Sequence, residues 1–504
     1  MGSLKNNYYV SSFFWSTFQK VLNAAVGFIS VPLLLGYYGK VEYGILGIAT
    51  ACNGYMHLLD LGMDTGAVKF YSQWRTEAKH DLISRVARTN ITFYGIISII
   101  NILGLVALAV WGEGLFAINH EQFLLLRSCL LIIAAFCLFS WGTTTFNQLL
   151  ISNMQIAFTM QVQSVIAILK AILIAAVFLI GLSLKEYFFL LTGIVALTIV
   201  PYALQCKKSN LVNSLRPAFY WKDFKIVIIF SLSIFALSIF QITATQSRPI
   251  ILSIFAKNGA EAVADFRIIE VIPNFIIMIG GTFTSVFLPK TSALVAKGDK
   301  NEIFCFAYKW TKYTSIIVNI LSVPFVLCAT EVLIAYVGKE YEYLSIWLII
   351  WCTTVLIQMH TTPGNALVLA TGKTKLLVLT TSISCLASIL LNIFLAPLYG
   401  VGASVISYFM YVIIVIGLYY IGYYKKLFDL SRRRMFISFA KPTLISIFLL
   451  LFVQAITTNY DMSSFGSERL NYIFICVVKS LIWLLLYLVL LLGLRIVKFS
   501  ELKR

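Results

Sequence analysis

Apolar residues in this chain run in blocks of about 20 separated by short polar joints; they neither follow one helix face nor alternate as in a strand. At 1.5 Å rise per residue such a block crosses a hydrocarbon core of roughly 30 Å. Fourteen blocks are predicted to span: 14–37, 43–62, 90–111, 123–146, 159–180, 187–204, 226–247, 265–288, 313–335, 344–363, 376–396, 402–424, 442–458 and 471–493. The joints at 36–42 and 397–401 are short enough to make hairpins of the helices they connect. The longest joint, 63–89, leaves no room for a soluble catalytic domain. The first block has the length of a retained span and no small-residue cleavage site after it, so no signal peptide is expected.

Composition sharpens this reading. The chain is 60% hydrophobic and 12% charged, against about 45–50% apolar and roughly 25% charged in globular domains. An ordinary soluble domain, a disordered chain and a coiled coil are excluded. The net charge of +18 would suggest nucleic acid on a soluble protein, but here the positions of the charges decide. With the N-terminus inside, 28 of the 39 Lys and Arg fall in cytoplasmic segments, six in outer ones and five within spans. The main contributors are the stretches 69–88, 207–225, 290–312 and 425–441, the last holding Arg432, Arg433 and Arg434. That asymmetry predicts cytoplasmic termini and records topology, so no nucleic-acid partner is expected.

Nine cysteines show no CxxC spacing, and most lie in apolar runs, where a thiol acts as a small hydrophobe. Walker A, GxSxG, HExxH and DxD motifs are absent and the four histidines are scattered, so neither enzymatic activity, a cofactor nor a metal is expected. A short echo links Pro32–Lys40 at the end of span 1 with Pro249–Lys257 after span 7, in the frame Pro-x-x-Leu-x-x-aromatic-small-Lys. Six spans separate the copies, which would make two parallel six-helix halves.

A charge inside a span needs a partner, a cavity or an escape route. Span 1 carries Ser16, Lys20, Asn23, Gly27 and Ser30 on one helix face, and Lys20 lies about 10 Å into the span. Lys20 either meets a diphosphate headgroup or snorkels to the surface. Lys170 lies about 16 Å into span 5, too deep for easy snorkelling; it is read as a cation in a hydrated cavity, the alternative being a buried structural pair with Asp60 or another carboxylate. Span 7 carries Ser238, Gln241, Thr245 and Arg248 on one face, with Arg248 expected to snorkel. Span 8 carries Asp265, Arg267, Glu270 and Asn274, where Arg267 either binds phosphate or pairs with Glu270. Asn53, His57 and Asp60 share a face of span 2; they form a proton relay, or Asp60 orients a helix end beside Gly62. Glu331 and Arg127 are expected at the interface, Tyr8, Tyr9, Phe13, Phe14 and Trp15 in an interfacial belt, and Lys479 is unassigned.

Several segments resemble the Wzx-like polysaccharide flippases of the multidrug/oligosaccharidyl-lipid/polysaccharide exporter superfamily. They are Tyr38–Gly44; Leu59–Met63 with Val68–Phe70; Leu288–Pro289 with Ala296–Asp299; Tyr336–Tyr341; Ala370–Lys373; and Asn392–Ala403. Their order covers residues about 15–425. The resemblance implies two pseudo-symmetric six-helix lobes around a central cavity, at 1–208 and 209–428, with two appended helices in 429–504. It also implies alternating-access export of an undecaprenyl-diphosphate-linked oligosaccharide, such as an O-antigen repeat unit, across the bacterial inner membrane. A polysaccharide polymerase and chain-length machinery are further partners it suggests. Lys20, Lys170, Arg267 and Arg248 are then the expected substrate-binding cations, and Asp60, Asp265, Glu270 and His57 the expected ion-coupling groups. One departure stands out: Ser247-Arg248-Pro249 occupies the place near the end of span 7 where such proteins often carry an acid. The alternatives are a peptidoglycan-precursor flippase, a drug/cation antiporter and, less well matched by the short outer loops, a membrane polysaccharide polymerase.

Overall fold

The protein is described by a computed structural model covering residues 2–211, 216–371, 375–457 and 467–497, with side chains for all but 2–10, Phe13 and parts of 233–245 and 280–296. Among these residues every regular element is helical. The chain divides into two compact units, 1–264 and 265–504. The first contains α1 (Gly2–Met56), α2 (Met63–Thr76), α3 (His80–Trp111), α4 (His120–Ser152), α5 (Ile156–Ala176), α6 (Leu184–Ala196), α7 (Ile199–Lys208) and α8 (Trp221–Phe255). Helix α9 (Gly259–Lys297) starts in it and continues into the second. There follow α10 (Lys300–Leu327), α11 (Ala329–Tyr336), α12 (Ser345–Met359), α13 (Thr362–Thr371), α14 (Lys375–Tyr399), α15 (Val401–Leu418), α16 (Tyr424–Phe428), α17 (Arg432–Thr457) and α18 (Glu468–Gly493).

Eleven helical segments among the described residues are long and apolar enough to cross a membrane. One of them, Phe14–Asp60, is 47 residues long and holds the first two predicted spans. They are separated at Gly39 (φ 78°, ψ 170°), a backbone that only glycine adopts readily. Helices α8 and α9, of 35 and 39 residues, contain two further predicted spans. With these the fourteen predicted spans are all housed in helices of a multi-pass membrane protein. The echoed frame ends its helices at equivalent places, Gly39 in one copy and the extended Ala256 (ψ 150°) in the other.

One joint is partly helical, and one predicted span is broken in two. In 63–89, α2 buries Met63, Gly66, Ala67, Tyr71 and Trp74 along one face, an amphipathic pattern too short and polar to register as a span. Span 344–363 divides into α12 and α13, with Pro363 in the first turn of the new helix, where a missing N–H is tolerated. Helix α3 starts at His80, before the predicted 90, because its polar first turns are anchored: Arg85 pairs with Asp223 at 2.9 Å and Arg88 Nε donates to Arg216 O at 2.9 Å.

In the first unit, α8 packs on α1, α2 and α3. Its core gathers Met63, Tyr71, Trp74, Tyr94, Trp141, Tyr202 and Phe224. The second unit has its own core around Phe287, Phe306, Tyr424 and Met435. Helices α17 and α18 are integral to it. Buried Trp483 donates to Ser446 O and buried Tyr487 to Pro442 O, each at 3.2 Å. Lys479 of α18 forms an enclosed ion pair with Glu331 of α11. The appended helix thus covers Glu331 and supplies its counter-ion.

Candidate functional site

The end of the first helical run builds the richest polar site. After α1 the chain tightens into the 3₁₀ turn His57–Asp60, then takes two left-handed residues, Leu61 (φ 53°) and Gly62 (φ 74°), before α2 begins. Gly62 lies against α8: a Cβ there would meet Ser231 O at 2.6 Å. This tight reversal brings Asp60 and Asp64 to the same side. The Asp64 amide donates to Asp60 Oδ2 at 3.2 Å, so Asp60 caps the new helix. It also lines a cavity of about 350 Å³ with His57, Asp64, Thr144, Asn147 and Gln163.

Behind the carboxylates runs a fully buried amide and phenol chain. Asn90 Nδ2 donates to Gln148 Oε1 at 2.6 Å, Gln148 Nε2 to Tyr94 OH at 2.8 Å, and Tyr94 OH to Asp60 Oδ1 at 2.6 Å. The same Gln148 amide reaches Asp64 Oδ1 at 3.4 Å. Trp141 braces the site, stacked on Tyr94 at 5.7 Å and against His57 at 5.2 Å. Asp64 is exposed on its cavity side, yet partial desolvation by the surrounding protein, followed by the charge of Asp60, pushes its carboxyl above the usual range. Two adjacent carboxylates facing hydroxyl and amide oxygens are hard oxygen donors, suited to a proton or a small cation.

The sequence reading named His57 and Asp60 but not Asp64, Asn90, Tyr94 or Gln148. A signal was present: Asn90 and Tyr94, and Thr144 and Gln148, stand at i,i+4 near the ends of spans 3 and 4, each pair on one helix face.

The other candidates divide between the units. In the first, Lys170 of α5 is half-buried and Lys20 of α1 exposed, and neither makes a hydrogen bond or ion pair among the described residues. Asp60 therefore pairs with Tyr94 and the Asp64 amide, not with Lys170. Arg248 is 5% exposed, contrary to the snorkelling expected of it: neighbouring Ser247, Ile251 and Leu252 are buried too, and α1 lies close by, with Gly54 against the Gln246 side chain. The side chains of Ser238, Gln241 and Thr245 lie outside the described residues, as do those of Tyr8, Tyr9, Phe13, Leu288, Pro289 and Ala296, and all of Gly372 and Lys373. In the second unit, Arg267 Nη1 donates to Glu270 Oε1 at 2.6 Å, and Tyr343 OH donates to buried Asp265 at 2.7 Å. No group of three His, Cys, Asp or Glu among the described residues could hold a metal ion.

No family model matches the chain, and no curated protein sequence does. Solved structures do. The lipid II flippase MurJ, in an inward closed conformation, superposes with a TM-score of 0.68 at 15% identity, covering 94% of this chain and 98% of that one. An inward-facing multidrug resistance MATE family transporter of the MOP superfamily gives 0.62 at 15% identity, over 79% of this chain and 92% of that one. The eukaryotic MATE transporter AtDTX14 gives 0.55 at 11%, over 86% and 99%. This multi-pass membrane protein has the fold shared by the flippase MurJ and the MATE transporters.

Proposed function

We propose that the protein is a flippase moving an undecaprenyl-diphosphate-linked oligosaccharide from the cytoplasmic to the outer leaflet of the bacterial inner membrane by alternating access. One observation carries the choice of cargo: the sign of the embedded charges that lack protein partners. Asp60, Asp265, Glu270 and Glu331 are each engaged by a protein donor, respectively Tyr94, Tyr343, Arg267 and Lys479. Lys170 and Lys20 have no such partner among the described residues. A charge at mid-membrane costs about 2.5–3.5 kcal/mol on insertion scales, a penalty that a bound diphosphate would offset. A drug/cation antiporter needs the opposite balance within the spans, acids without a protein partner; Asp60 and Asp64, the acids that face the cavity, each accept a protein hydrogen bond.

In this reading Lys20, Lys170, Arg248 and Arg267 serve the anionic linkage, and Asp60, Asp64 and His57 couple transport to an ion. Polymerase and chain-length machinery would receive the product. A second reading, a lipid II flippase, draws on the MurJ likeness and shares the lipid diphosphate chemistry. The test is translocation in liposomes of a fluorescent undecaprenyl-diphosphate oligosaccharide, read with a membrane-impermeant quencher. Movement of this probe, uncompeted by lipid II, supports the proposal. Competition by lipid II selects the second reading, and antiport of a cationic dye without glycolipid movement refutes both.

A further inference from the structure

Two open cavities of the first unit adjoin at the turn between α5 and α6, and neither shares a residue with the Asp60–Asp64 site. One, of about 610 Å³, is polar and aromatic and is lined by Tyr37, Tyr38, Glu42, Ser183, Lys185 and Glu186. The other, of about 410 Å³, is walled by Ile132, Leu182, Phe189 and Leu190. Leu182, Lys185 and Glu186 belong to both.

Much of the polar cavity's hydrogen-bonding capacity is used internally. Tyr38 OH donates to Leu182 O at 3.0 Å. Ser183 and Glu186 form a capping box, with Ser183 N donating to Glu186 Oε2 at 2.8 Å. Three groups remain: the Tyr37 hydroxyl, the Glu42 carboxylate and the Lys185 ammonium, for which no hydrogen bond or ion pair exists among the described residues. The Tyr37 ring is 40% exposed, yet it is held edge-on by Tyr38 at 5.0 Å and Phe178 at 5.2 Å. A rigid aromatic face beside a spare carboxylate suits a saccharide, whose C–H face stacks on the ring while its hydroxyls donate to the acid. Lys185 stands where this cavity meets the apolar one, in which Phe189 is 50% exposed.

We infer that the two cavities form one docking site for a lipid whose saccharide head is joined to its hydrocarbon by a phosphate linkage. The sugar lies against Tyr37 and Glu42, the phosphate at Lys185, and the first hydrocarbon units along Phe189 and Leu190. A free sugar phosphate would leave the apolar cavity unused, and an ordinary phospholipid would leave Tyr37 and Glu42 unused. Charge asymmetry assigns the joint at 181–186 to the outer face, so the site meets the glycolipid after crossing. The inference rests on the flippase reading and adds an exit station to it.

The test places a photo-crosslinking amino acid at position 189 of the full-length protein in phosphatidylcholine nanodiscs. The probes are undecaprenyl diphosphate bearing a disaccharide, bare undecaprenyl diphosphate and phosphatidylglycerol. The disaccharide lipid is expected to crosslink at least fivefold better than the other two. Lys185→Gln should reduce crosslinking of both diphosphate probes about tenfold, with Lys185→Arg restoring it. Tyr37→Ala and Glu42→Gln should reduce only the glycosylated probe, and Glu42→Gln disturbs no internal bond. Equal yields from all three probes, or variants matching the parent, would overturn the exit site. Liposome translocation separates this from failure of the flippase reading: a wild-type protein that flips the glycolipid while its variants crosslink normally sinks the exit site alone.

Discussion

Tyr94 is the hinge of the buried chain that aims Asp60, and its hydroxyl offers the sharpest energetic test. Tyr94→Phe deletes the 2.6 Å donor to Asp60 and the acceptor used by Gln148 at 2.8 Å, while keeping the ring stacked on Trp141. Hydrogen bonds to charged groups contribute roughly 1.5–3 kcal/mol in soluble proteins. Double-mutant cycles inside a membrane average about 0.6 and reach about 1.7 kcal/mol. Here the phenol is fully buried, but Asp60 also holds the Asp64 amide and faces a cavity that water can enter. These opposing factors place the expected coupling between Tyr94→Phe and Asp60→Asn at about 1–1.7 kcal/mol, roughly 5- to 20-fold in the folding equilibrium. The assay is SDS-driven unfolding in mixed micelles, followed by tryptophan fluorescence, for the parent, both single variants and the double variant. Strict additivity, with coupling below about 0.3 kcal/mol, would show that the phenol does not hold the carboxylate.

Other consequences are separate. Breaking the enclosed Lys479–Glu331 pair by Lys479→Met alone should cost about 3–5 kcal/mol, whereas the double change with Glu331→Leu should recover most of it; melting temperatures of the three variants decide. Asp64 has a raised carboxyl pKa in the fold, so the folded state holds its proton longer than the unfolded one. Its contribution to stability is fully present below the ordinary aspartate range and lost as pH rises through the folded value. Asp64→Asn should therefore be more stable than the parent at pH 7 and converge with it near pH 4, which a pH series of melting curves checks. Gly62→Ala combines a left-handed φ of 74° with a 2.6 Å clash against Ser231 O. A loss of about 2–4 kcal/mol is expected, and unchanged thermal stability would mean the turn is looser than described.

Apolar block length alone predicted the helices well, because a bilayer imposes one requirement on every span. What it missed lies where that requirement lapses. Helix α2 is amphipathic, and its Trp74 and Tyr71 are buried by tertiary packing on neighbours distant in sequence. Lys479 read as an isolated, inexplicable charge because its partner Glu331 lies 148 residues away. Asp60 was legible in both its proposed roles, and its geometry serves the helix cap and the cavity together. Asp64 was invisible because it sits past the apolar block, and only the reversal at Leu61 and Gly62 returns it to the site. Arg248 was misread through its position near a span end; tertiary packing buries that end of α8, where α1 comes close at Gly54, and no local pattern in the sequence shows it.

The central claim is that a membrane-embedded cation recognises an anionic lipid-linked cargo, and Lys170 tests it most directly. Glycolipid translocation should be measured in liposomes for the parent, Lys170→Arg and Lys170→Glu, each checked for insertion and melting temperature. The account predicts near-parental flipping by Lys170→Arg and at least a tenfold loss in Lys170→Glu. Undiminished glycolipid flipping by a folded, correctly inserted Lys170→Glu protein would contradict it.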